Sequence, residues 1–347
     1  ESGNLIVDGG NFTVNYSNNY SYIGSLKNVS TTINGGTFSI KDGRVPGNGN
    51  TWTSCLTDTQ NSATMTVNGG TFNGGFRVQA GTSMTINGGS FNDVYGSNYN
   101  IYGTVTVTGG TFTDDTAKTF ATKYVSDDYK LGEDGKVVYA PVVAKIGETK
   151  YNTLQDAIKA AKAGDVVTVF AGTYKVPTMK AGITIVGKGN VLFEGTLTGT
   201  LENLTMKNIH IKGGNAQRWA YAKGNLVFEN VTFEATSVYA LHFDGITEGA
   251  TLTYKNCTII GWAAMSGSPA NCTFEGCTFK GNGTYGVIRT YFNATIKDCT
   301  FDVANVNTTD NYQDGIHAVD STITVNNCTN LNGSMEDILN DPEIELV

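Results

Sequence analysis

Three histidines stand in this 347-residue chain, His210, His242 and His317. Two share a context, Ala240-Leu241-His242-Phe243 and Gly315-Ile316-His317-Ala318, with Arg289 between them in Tyr285-Gly286-Val287-Ile288-Arg289. An imidazole supplies acid or base near neutrality, an aspartate a second proton carrier, and a guanidinium a fixed cation for a carboxylate. His317, Arg289 and Asp314 are therefore the candidate catalytic set for an anionic sugar, with Asp310 and Asp320 beside them on the chain. The same stretch, Asn305 to Asp320, also reads as a solvated loop whose Asp and Asn side chains satisfy their own turns. Trp219, Tyr221, Tyr239, Trp262, Tyr285 and Tyr291 recur along the same region. Rings suit the apolar faces of sugars, and they equally pack under loops. Trp219, Tyr239, His242, Trp262, Tyr285, Tyr291, Asp310 and Asp320 form the candidate ligand-binding set. Scattered histidines and the lack of any Cys-x-x-Cys point to no metal site.

These residues sit in a chain that repeats itself. Before residue 115 one phrase recurs five times: Val7-Asp8-Gly9-Gly10-Asn11-Phe12, Ile33-Asn34-Gly35-Gly36-Thr37-Phe38, Val67-Asn68-Gly69-Gly70-Thr71-Phe72, Ile86-Asn87-Gly88-Gly89-Ser90-Phe91 and Val107-Thr108-Gly109-Gly110-Thr111-Phe112. Gly10 to Gly110 spans four intervals, a mean of 25 residues, which marks a solenoid. Alternating polar and apolar residues broken at Gly-Gly read as strand, sharp turn, strand. After residue 200 a second spelling aligns Ile209, Val231, Cys257, Cys277, Cys299 and Cys328, a mean spacing of 23.8. Those positions face inward, and the cysteines among them are expected to be free, buried thiols. Asn208, Asn230, Asn256, Gly276, Asp298 and Asn327 precede them, residue types that tolerate a left-handed turn. Thr232, Thr258, Thr278, Thr300 and Thr329 stack outside, while Lys207, Glu229, Lys255, Glu275 and Lys297 alternate in sign from rung to rung. The four columns agree on one register, that of a parallel β-helix. Thr153, with Asp156 as a capping-box partner, opens a short helix whose face is Leu154, Ala157, Ile158 and Ala161. Such a helix covers the open end of a solenoid core, and Ser334 to Leu339 are expected to do the same at the far end.

Composition bounds the rest. Lys+Arg total 23 against Asp+Glu 31, a net charge of −8, which argues against a nucleic-acid partner. No apolar run is long enough to insert in a membrane. Glycine is plentiful at 43 and proline scarce at 5, as many tight turns require. The chain opens in mid-pattern at Glu1-Ser2-Gly3, so a monomeric fragment of a longer chain is expected. Cys55 stands in an irregular loop with no assignable partner.

The run from Tyr151 through Leu154-Gln155-Asp156-Ala157-Ile158 to Gly164-Asp165, then Val166-Val167-Thr168-Val169 and Ala171-Gly172-Thr173-Tyr174, resembles the first coil of pectate-lyase-like right-handed parallel β-helix proteins. The Asn-Gly-Gly-Thr-Phe repeats and the segment Tyr124 to Gly147 resemble repeat-rich, adhesin-like surface or secreted proteins of gut bacteria. The resemblance implies an all-β fold, a right-handed parallel β-helix (solenoid) in two repeat regions with a short capping α-helix between them. The expected boundaries are 1–123 for the first repeats, 124–164 for a linker hairpin and capping helix, and 165–347 for the second β-helix. A lyase of this superfamily implies acidic Ca²⁺ ligands with an Arg or Lys base, so calcium is expected only with that activity and otherwise no cofactor. A polygalacturonase-like hydrolase implies Gly-His-Gly and Arg-x-Lys phrases. Both phrases are absent, and Asn307 to Asp310 with Asp314 to His317 echo only part of the pattern. The expectation is a bacterial secreted or cell-surface protein that is non-catalytic and binds a glycan or host-surface ligand. The alternative is a polysaccharide lyase or glycoside hydrolase acting on acidic polysaccharide.

Overall fold

The computed structural model describes residues 3–14, 20–22, 25–40, 52–54, 56–60, 62–92, 100–283, 285–304, 315–339 and 344–346. Cys55 and the acidic candidates Asp310 and Asp314 lie outside these residues. Among the described residues the chain is all-β, with parallel β-solenoid coils numbering about 13 in all and two short α-helices. It divides into two compact units, Glu1–Pro141 and Val142–Val347.

In the first unit each Gly-Gly phrase joins two parallel sheets. One carries Gly3–Val7, Val29–Ile33, Thr64–Val67, Ser83–Ile86 and Thr104–Val107, the other Asn11–Val14, Thr37–Ile40, Thr71–Asn73, Ser90–Asn92 and Thr111–Phe112. The Gly-Gly pair is dictated by stacking. A Cβ on Gly109 would sit 2.1 Å from the Asn87 carbonyl oxygen of the coil before it, and Gly110 needs φ +101°. Inside, Phe12, Phe38, Phe72, Phe91 and Phe112 form a ladder with centroids 4.9, 4.9, 5.0 and 4.6 Å apart. Outside, a one-way chain of side-chain hydrogen bonds follows. Thr108 donates to Asn87 Oδ1, Asn87 to Asn68, Asn68 to Asn34, and Asn34 to the Asp8 carboxylate. Each amide has one oxygen and one NH₂, so an in-register column connects end to end.

Helix α1 (Asp115–Tyr124) follows the fifth phrase, capped by Asp114, whose side chain accepts from Ala117 N–H. The sequence reading placed no helix here, although Ala117, Phe120, Ala121 and Tyr124 hold helical spacing. Phe120 packs at 5.7 Å from Phe76 and 6.3 Å from Phe112, burying the helix face against this unit's core. The hairpin of Tyr129–Leu131 and Val137–Tyr139 comes next.

Helix α2 (Leu154–Ala160) belongs to the second unit. Thr153 Oγ1 accepts from Asp156 N–H at 3.1 Å and donates to the Asp156 carboxylate at 2.5 Å. Leu154, Ala157, Ile158 and the following Ala161 join the unit's core, as the spacing requires. At the other end Ile338, on the short 3₁₀ turn Glu336–Ile338, is buried in that core.

The coils between them obey the four columns. Asn208, Asn230, Asn256, Gly276, Asp298 and Asn327 all have φ between +50° and +63°. The threonines from Thr232 to Thr329 pair rung by rung. Lys207 meets Glu229 at 2.6 Å, and Glu275 takes both Lys255 at 3.5 Å and Lys297 at 3.8 Å. Each thiol of the inner column points at the preceding coil: Cys257 Sγ donates to Phe228 O at 3.3 Å, Cys277 to Tyr254 O at 3.4 Å, Cys299 to Phe274 O at 3.6 Å. All are free, and Cys257, Cys277 and Cys299 are buried. Its hydrogen bond with Cys257, together with burial, pushes the Cys277 thiol up to about 12, so it stays protonated and behaves as a small apolar group, while the same bond lowers the Cys257 pKa from its ordinary value.

The aromatic stack carries a polar atom into the core. Tyr254 stacks between Phe228 at 5.1 Å and Phe274 at 4.5 Å, fully buried, with its hydroxyl unpartnered. Tyr254→Phe keeps the stack and removes the unsatisfied oxygen. It is expected to leave stability unchanged or raise it by about 1–2 kcal/mol in urea unfolding; a loss of that size would mean the hydroxyl has a partner.

Candidate functional site

Four strands on successive coils carry Tyr239, His242, Trp262, Arg289 and His317: Thr232–Ile246, Thr258–Met265, Ile288–Thr290 and Ile316–Ala318. In a strand alternate residues face opposite ways. Leu241 and Phe243, Ala263 and Met265, Ile288 and Thr290, Ile316 and Ala318 are buried inward. His242, Ala264, Arg289 and His317 consequently share the outer column, paired His242 with Ala264, Ala264 with Arg289, and Arg289 with His317. Arg289 and His317 are neighbours on adjacent coils, as the sequence contexts suggested. His242 and His317 stand three coils apart, about 14 Å, too far to share one proton transfer. Ala264 leaves a gap in the column between His242 and Arg289.

Aromatic residues border this column. Tyr239 pairs in register with Trp262. Their rings stack at 5.3 Å and 20°, and Trp262 meets Tyr285 at 4.9 Å and 39°. Tyr239 also lies 4.3 Å from the His242 ring. Tyr239 and Trp262 turn their faces to one another and Trp262 is buried, while Tyr285, tilted against it, is exposed. The Trp262 indole Nε1, a donor, is buried without a partner.

The sequence reading missed Arg218. Its guanidinium lies 4.5 Å from the Trp219 ring and 5.1 Å from the Tyr239 ring, so the cation sits at the end of the stacked row. Arg289 covers Tyr291 at 4.8 Å. A usable signal was rarity: the chain has four arginines, and Arg218 and Arg289 are the two within residues 142–347. Trp219 and Trp262 are likewise the two tryptophans of that unit. Asp320 is exposed in a left-handed turn, φ +48°, after the His317 strand. His210, the third histidine, lies on an earlier coil and is taken by Glu234 at 2.8 Å. Among the described residues no group of three His, Cys, Asp or Glu side chains is placed to hold a metal ion.

Burial lowers the His242 pKa from its ordinary 6.5, Asp244 at 3.5 Å opposes that, and Arg218 lowers it further. The unfolded chain therefore binds a proton at this residue where the folded chain does not. Stability from this group is present above pH 6.5 and declines as pH falls through the folded value. His242→Gln should show a smaller loss of stability between pH 8 and pH 5 than the unaltered protein, read by urea midpoints. An equal loss in both would refute the burial argument.

No curated protein and no solved structure matches the chain. Residues 175–301, which hold the His242, Ala264 and Arg289 rungs, match the family model described as "Right handed beta helix region".

Proposed function

We propose that the second unit is a carbohydrate-binding β-helix of a secreted or cell-surface, adhesin-like bacterial protein, and that its ligand is an acidic glycan laid across the Trp219–His317 face. The observation that carries this is convergence. In a chain of net charge −8, both arginines, both tryptophans and two of the three histidines of the unit are on one outer face. Guanidiniums favour a carboxylate or sulfate. The experiment is retention on polygalacturonate, alginate, hyaluronan and chondroitin sulfate, with dextran and mannan as neutral controls. Retention on an acidic polymer that weakens with salt supports the reading; equal retention on the neutral polymers, or none on any, overturns it.

The in-register pair Arg289 and His317 favours one second reading, a lyase or hydrolase acting on the same polymers. New reducing ends or unsaturated uronate absorbance, lost in His317→Ala with the fold intact, would establish it. Retention without either product leaves the binding reading in place.

A further inference from the structure

Three consecutive residues at one end of the face each break a rule of stable folding. Gln217 is 0% exposed, and neither its amide oxygen nor its amide nitrogen has a hydrogen-bond partner. Arg218 Nε is buried and unpartnered. Trp219 has φ +49°, a left-handed conformation that is an outlier for a bulky residue. The ladder slips at the same point. Leu197 pairs with Gln217 and Gly199 with Ala220, so Arg218 and Trp219 together oppose the single residue Thr198. A bulge of this kind re-aims a side chain, and strain of this kind persists where function retains it.

What the bulge aims is the Trp219 indole, 60% exposed. One face lies under the Arg218 guanidinium, and among the described residues no ring stacks on the other. Trp219 is the most exposed ring of the row: Tyr221 follows at 53%, Tyr291 under Arg289 and Tyr285 at 42% and 41%, and Trp262, stacked on Tyr239, is buried. We propose that Trp219 is a stacking platform for one sugar ring of the bound glycan, held out by a backbone strained for that purpose. This rests on the glycan-binding reading above and adds a division of labour. Arg218, Arg289 and His317 meet the acid groups, while the indole face meets the C–H face of a pyranose. The stacked pair Tyr239 and Trp262 is then a mount that, through Tyr239, fixes Arg218 and with it Trp219, rather than the sugar contact itself.

Two readouts test this, one of them independent of any ligand. Trp219→Gly and Trp219→Ala both remove the ring but differ in strain. At negative φ alanine is the more stable; at φ +49° glycine should be, by about 2–4 °C in thermal midpoint. Alanine at or above glycine would overturn the strained backbone. For binding, each of the four acidic polymers is titrated against the unaltered protein, Trp219→Gly, Trp219→Phe and the double variant Arg218→Ala/Arg289→Ala. Trp219→Gly should bind about tenfold more weakly and Trp219→Phe should recover most of that loss. If Trp219→Gly binds as tightly as the unaltered protein while the double arginine variant does not, the platform is overturned and the glycan reading stands. If the unaltered protein binds none of the polymers, the glycan reading itself has failed.

Discussion

Cys277→Asp is expected to destabilise the second unit by about 3–5 kcal/mol, the range for an uncompensated buried charge. Cys277 is 1% exposed, in a column continued by Cys257 and Cys299, and Val231 and Ile209 hold the same place on earlier coils. A carboxylate there would face the Tyr254 carbonyl that the thiol now donates to, so two acceptors would meet without a proton. Protonation relieves the clash only by raising the acid's pKa far above pH 7, which is itself a loss of stability. Cys277→Val, which repeats what Val231 already does, should cost no more than about 1 kcal/mol. The pair separates burial from any special role of sulfur. An unchanged urea midpoint in the aspartate variant would refute the inward column, and an equal loss in the valine variant would assign the effect to the thiol.

Arg218→Ala/Arg289→Ala is the second large effect, an expected loss of about 100-fold or more in affinity for the acidic polymer that binds best. Hydrogen bonds to charged groups contribute about 1.5–3 kcal/mol each, so two lost guanidiniums reach that factor. Both side chains are half-buried on the outer face, their guanidiniums over the rings of Trp219, Tyr239 and Tyr291. The midpoint of unfolding should therefore move by less than about 1 kcal/mol. The salt dependence of retention should flatten in the same variant, since the charges that are screened have gone. A variant that keeps both affinity and salt dependence would remove the anion-binding face.

Periodicity carried most of the fold into the sequence. The Asn208 to Asn327 turn column, the threonine column, the Lys–Glu alternation and the inward cysteines are each properties of one residue per coil. Stacking brings equal positions together, so a column in the alignment of repeats is a column in space. The same reasoning placed Arg289 beside His317 and His242 on their common face, because strand alternation fixes the side and coil number fixes the height. Helix α1 was less legible. Its Asp114 cap and apolar spacing are present, but they begin directly after the last Gly-Gly phrase and read as part of the repeat.

Arg218 and the attitude of the rings were decided elsewhere. Nothing in Gln217-Arg218-Trp219 announces a bulge, because the slip exists only relative to Leu197–Gly199 on the coil before. A ring's sequence position gives its height on the solenoid, not whether its face looks at solvent or at the next ring. Tyr239 stacks on Trp262, and Tyr285 tilts against it, because neighbouring coils bring the rings within about 5 Å of one another. The local pattern thus determined the architecture, which depends on repeated short-range choices. The tertiary structure alone decided which side chains meet across coils, and with them the charge and shape that the face presents.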